Sequence, residues 1–164
     1  MLGLLETTVL VGLGATGVTD LWAYARRRLL GVPLPNYGHV GRWLGHMRHG
    51  RFRHLAIARA TPIPHEGALG WTAHYLIGIA FAWLLPLIWG TAWFHRPTLG
   101  PALAVGLGTL LAPFLLMQPG MGAGVFARRT PRPGAARIQS LATHASFGLG
   151  LYLAAWVMRA LCPP

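Results

Sequence analysis

Four long apolar runs divide the chain. The first covers residues 2–25 and is broken by Glu6 and Asp20; the others cover 70–89, 99–117 and 141–158. Each is close to the ~20 residues a helix needs to cross a bilayer core. In hydrocarbon every backbone amide must find its partner within the segment, so the runs read as helices. The pattern predicts an all-α fold: an integral membrane bundle of four transmembrane helices, one domain over 1–164, with loops at 26–69 and 118–140.

The segment between the first two runs is too long for a turn. Val40, Trp43, Leu44 and Met47 recur in it at helical spacing, with Arg42 and Arg48 on other faces, and Phe52, Leu55 and Ala56 continue the theme. This predicts one or two helices lying in the membrane interface, apolar side down. Pro33, Pro35, Pro62 and Pro64 bracket the loop. Pro86, Pro101 and Pro113 fall within or beside spans, where they can kink a helix without disqualifying it. Gly120, Gly122 and Gly124 follow Pro119 and predict an irregular or re-entrant stretch.

Composition supports lipid as the solvent. Hydrophobic residues make up 54% of the 164 positions and charged residues only 10%, against about 25% charged in soluble domains. All 14 basic residues are arginine, and the only acids are Glu6, Asp20 and Glu66, giving a net charge of +11. Such a charge can signal nucleic-acid binding, but here the arginines sit between apolar runs, as insertion topology alone requires. Nucleic acid is therefore not expected as a partner.

Arginine placement also sets an orientation. Eight arginines lie between spans one and two, four between spans three and four, and only Arg96 and Arg159 lie on the other side. Both long loops are thus expected in the cytoplasm and both termini in the periplasm. The first run has no basic stretch before it, while Arg26, Arg27 and Arg28 follow it, so it reads as a retained anchor rather than a cleaved signal. Trp22, Trp71, Trp89, Trp93 and Trp156 near span ends suit interfacial belts. The lone Cys162 excludes an intrachain disulfide and a cysteine-type zinc site.

Two motifs are rejected. Gly12 to Gly17 fits the G-x-G-x-x-G dinucleotide pattern, yet no acid follows at the distance a ribose needs, and no strand–helix alternation surrounds it. Small residues on a membrane helix, letting a neighbour approach, explain it better. His65-Glu66 opens like H-E-x-x-H, but Leu69 stands where the second histidine belongs.

With this orientation each span carries a polar residue toward its inner end: Asp20, His74, Gln118 and His144. Ionisable groups at membrane depth usually face a protein interior or wet cavity. A shared cytoplasm-facing polar site is therefore expected, with Asn36, His46, His54, Glu66 and Arg137 as candidates to cap it. Plain helix–helix hydrogen bonding is the competing explanation. His74 and His144 are candidate ligands for a divalent metal, with Asp20 or Glu66 as a third, or for a haem. Alternatively, either histidine is a general base while Arg51 or Arg137 grips a phosphate. The expected contacts are membrane lipids, through anionic headgroups of the inner leaflet. A homo-oligomer or a larger membrane complex is compatible with four spans.

Several segments together resemble a known family. These are Gly41-Arg42-Trp43-Leu44-Gly45-His46, Gly50-Arg51-Phe52-Arg53-His54, Gly70-Trp71-Thr72-Ala73-His74-Tyr75, Met117-Gln118-Pro119, Thr130-Pro131, and His144 followed by Phe147 to Tyr152. The chain is similar over nearly its whole length to the uncharacterised bacterial membrane family catalogued as domain of unknown function 2938. The resemblance implies a small bacterial inner-membrane protein and supplies no activity, cofactor or catalytic residue. The functional expectation is a binding or accessory protein, with a lipid or lipid-phosphate enzyme and a structural subunit of a membrane complex as alternatives.

Overall fold

The computed structural model describes residues 3–161. Leu2, where the first run begins, and Cys162 lie outside the described residues. The described chain is helical: α1 (Leu4–Leu30), α2 (Tyr37–Met47), α3 (Glu66–Ala82), α4 (Leu84–Trp89), α5 (Leu99–Gly108), α6 (Gln118–Met121) and α7 (Pro133–Leu161). A wide π-helical turn over Pro113–Met117 links the approach from α5 to α6. Proline there lacks the N–H that a regular helix would use, and a single wide turn accommodates the loss.

Four helical stretches are long and apolar enough to cross a membrane: Leu4–Leu30, Glu66–Trp89, Leu99–Met121 and Pro133–Leu161. At most 33% of each apolar window is buried, and Leu21, Leu87, Leu116 and Leu161 are all exposed. Such a surface suits hydrocarbon rather than water. The helices outlast the apolar runs. Helix α1 carries Arg27 and Arg28 in its last turn and stops at Gly31, whose φ of 64° is easy for glycine.

Helix α2 forms where Val40 to Met47 show helical spacing. Phe52, Leu55 and Ala56 do not extend it. Gly50, at φ 73°, turns the chain, and the His54 N–H donates to the Gly120 carbonyl at 2.8 Å, a partner remote in sequence that a helix would not allow. After Pro119 the helix stops at Gly122, at φ 97°. The chain then passes through Phe126 and Ala127 at φ 51° and 57°, conformations that cost non-glycine residues roughly 1–3 kcal/mol each.

The chain forms two compact units. Unit one comprises Met1–Leu34, Tyr75–Thr109 and Ala142–Pro164; unit two comprises Pro35–His74 and Leu110–Leu141. Unit one has the apolar core, centred on Val11, Ala15, Leu85, Val105, Phe147 and Leu151. Its helices meet through small residues. A Cβ on Gly12 would lie 2.7 Å from the Ile79 Cα, and one on Gly106 would lie 2.6 Å from the Gly148 Cα. The glycine motif at residues 12–17 thus sits inside a helix, where Gly12 and Gly14 admit neighbouring helices. In unit two, α2 and the start of α3 cross backbone to backbone: a Cβ on Gly41 would collide with the Glu66 carbonyl, and one on Gly70 with the Tyr37 carbonyl.

Candidate functional site

The polar chemistry of unit two is organised by Arg42. Its side chain extends from α2 and is buried. Nε and Nη2 donate to the two oxygens of Glu66 at 2.8 and 2.6 Å. Nη1 donates to the carbonyls of Ile57, Ala58 and Ala60 at 3.2, 3.3 and 3.0 Å. The bond to Glu66 raises the Arg42 pKa further above its ordinary value, against the opposing effect of desolvation. Glu66 also accepts the Ile63 N–H at 3.1 Å. A planar fork matching a carboxylate while reaching three carbonyls is arginine chemistry that lysine cannot copy. Glu66 is therefore a scaffold residue: it ties α2 to the head of α3 and folds residues 57–60 between them.

One turn along α2, His46 Nε2 lies 2.9 Å from the Thr61 carbonyl. A carbonyl only accepts, so this nitrogen carries the proton. The His46 ring packs edge-on to the His54 ring at 4.9 Å. Burial, then the nearby His46 and Arg51 side chains, push His54 below the ordinary histidine range, with a backbone bond to Arg51 opposing them. His54 Nε2 is buried and has no hydrogen-bond partner among the described residues. Beside it, Trp43 Nε1 donates to the Phe52 carbonyl at 2.9 Å, and a Cβ on Gly120 would clash with the Trp43 ring. Close by in sequence, Gln118 Nε2 reaches Ser140 Oγ at 3.5 Å, while Gln118 Oε1 is buried without a partner.

Other sequence candidates in unit two have local roles. The His74 ring stacks on Tyr37 at 4.1 Å, and Tyr37 also packs on Trp71 at 4.5 Å. Asn36 lies 3.3 Å from the His39 ring nitrogen. Arg137 donates from Nε to the Phe126 carbonyl at 2.8 Å, holding the left-handed residue there. Arg51 is exposed. A cavity of about 420 Å³ is lined by Leu44, Arg48, Ile63, His65 and Leu69 among others.

Asp20 and His144 belong to unit one. Asp20 accepts the Tyr75 hydroxyl at 2.9 Å. His144 Nδ1 lies 3.1 Å from the Gly106 carbonyl and 3.2 Å from the Thr109 hydroxyl, which itself donates to Gly106 at 2.8 Å. This His144 nitrogen therefore donates to the carbonyl and joins α7 to α5 beside the close contact of Gly106 with Gly148. Among the described residues no group of three or more His, Cys, Asp or Glu side chains is arranged to hold a metal ion.

The polar pattern along the chain points to His46, His54, Gln118 and Glu66 but not to Arg42, Trp43 or Tyr37. A signal for Arg42 existed. Glu66 is the only acid after Asp20, so in an arginine-rich segment it was bound to find a partner, although spacing does not say which arginine.

No curated protein and no solved structure matches the chain. The family model described as "Protein of unknown function (DUF2938)" matches residues 9–158. The chain, with its four helices long and apolar enough to cross a membrane, therefore belongs to that family of unknown function.

Proposed function

We propose that this chain is a bacterial inner-membrane binding or accessory protein that holds a polar ligand on its cytoplasmic side, within unit two. The observation that carries this reading is the pair of buried, unpartnered atoms, His54 Nε2 and Gln118 Oε1. Around them the network is otherwise complete: Arg42, Glu66, His46 and Trp43 all have partners. Leaving a buried polar atom unbonded costs about 1–3 kcal/mol, so such atoms call for an explanation. With the His54 ring engaged by the Arg51 backbone and disfavouring a proton, its Nε2 is an acceptor; amide Oε1 is an acceptor too. The fitting ligand offers donors, as the hydroxyls of a glycerol or sugar headgroup do. The arginine-rich surroundings favour an anionic one, and twelve arginines in the two loops support the cytoplasmic orientation.

The test is mass spectrometry of small molecules and lipids, with metal analysis, on protein purified in mild detergent. A near-stoichiometric hydroxyl-bearing ligand, lost in both His54→Phe and Gln118→Leu, is the expected result. A metal lost in the same variants would replace this reading with a metal centre. Equal ligand content in wild type and both variants would contradict it. Turnover of a labelled lipid, abolished by His54→Phe, would make the unprotonated Nε2 a general base and the protein an enzyme.

A further inference from the structure

Arg26 stands apart from the other arginines. It lies in the penultimate turn of α1, in unit one, and is only 7% exposed. An arginine kept merely for topology extends its guanidinium into water or headgroups; this one is folded in. Among the described residues its guanidinium makes one bond, of 3.4 Å from Nη2 to the Thr143 hydroxyl on α7, and its buried Nε has no partner. The Trp22 ring, 5.8 Å from the guanidinium carbon, covers another side.

A buried cation needs a counter-charge, because desolvation otherwise outweighs what neutral contacts return. Among the described residues, unit one offers no carboxylate for the task. Glu6 caps the opposite end of α1, about 30 Å away at 1.5 Å per residue. Asp20 is six residues away on the same helix, which turns it to another face, and it accepts from Tyr75. Among the described residues the ion pair present is Arg42–Glu66, in unit two. The free Nε edge and a hydroxyl at Nη2 form a fork of donors, the geometry that meets phosphate oxygens.

We infer that Arg26 and Thr143 form a phosphate seat, which in the membrane takes the phosphodiester of an anionic phospholipid. This site lies in a different unit from His54 and Gln118 and does not depend on the ligand proposed there; only the choice of leaflet rests on the cytoplasmic orientation.

The test is native mass spectrometry of the detergent-solubilised protein titrated with phosphatidylglycerol, with phosphatidylcholine of the same chains, and with inorganic phosphate. The wild type should retain one phosphatidylglycerol in preference to phosphatidylcholine. Retention should fall about tenfold in Arg26→Gln, and less in Arg26→Lys, which keeps the charge but not the fork. Thr143→Val, which leaves Arg26 in place, should weaken it severalfold and guards against a folding defect in the arginine variants. Displacement of the lipid by millimolar inorganic phosphate would support the phosphate seat and assign it to a soluble phosphate. Equal retention of phosphatidylglycerol by wild type, Arg26→Gln and Thr143→Val would overturn the inference.

Discussion

Arg42 serves five acceptors with one guanidinium: both oxygens of Glu66 and three carbonyls between Ile57 and Ala60. Arg42→Lys should therefore behave as a loss, not a conservative change, since a lysine reaches at most part of this set. A fall in thermal midpoint of about 5 °C, followed by tryptophan fluorescence in detergent, is the expected outcome; an unchanged midpoint would mean that the clasp does not hold unit two together. His54 gives unit two a pH dependence of known sign. Its folded-state pKa lies below the ordinary value, so the unfolded chain takes up the proton first, and the stability His54 contributes is present above about pH 6.5 and lost as pH falls below it. Melting curves between neutral and mildly acidic pH should show that loss in wild type and a smaller one in His54→Phe. At this scale residue types are legible in the sequence, but their pairings are not. Glu66 was expected to cap a polar site and instead anchors a clasp, because the arginine that reaches it lies 24 positions away and nothing in the local pattern singles it out.

Helices were the most legible level. Apolar runs of about 20 residues have one backbone solution in hydrocarbon, and each of the four runs lies on a helical stretch of the fold. What the pattern missed is set by chain contacts rather than by local preference. Residues 51–56 have helix-compatible spacing, yet the His54 amide goes to Gly120. The glycines carry the close approaches. Gly106→Leu should destabilise by about 1–3 kcal/mol, because its side chain would enter the backbone of α7 at Gly148. Gly17→Ala, where an added Cβ would meet nothing within 4 Å, should be neutral or stabilising by up to ~1 kcal/mol. Denaturation of the two variants side by side checks this. Equal effects would mean that helix propensity, not interhelical approach, governs these positions.

For the whole molecule, the charge pattern and the fold assign different jobs to the same residue type. Most arginines are exposed on the segments between helical stretches, while Arg26 and Arg42 are drawn inside. Counting arginines gives an orientation, but it cannot separate those that steer insertion from those that bind; burial and partners do. The ligand proposed for unit two, and the leaflet proposed for the Arg26 site, both rest on a cytoplasmic position of the arginine-rich segments. The most direct test is labelling with a membrane-impermeant maleimide in intact cells, using single cysteines on a Cys162→Ser background. The substitutions are His95→Cys between spans two and three, Leu55→Cys in the first long segment and Pro131→Cys in the second. A cytoplasmic position of both long segments predicts labelling of His95→Cys from outside, and labelling of Leu55→Cys and Pro131→Cys only after the membrane is permeabilised. Labelling of Leu55→Cys or Pro131→Cys in intact cells, with His95→Cys protected, would contradict it.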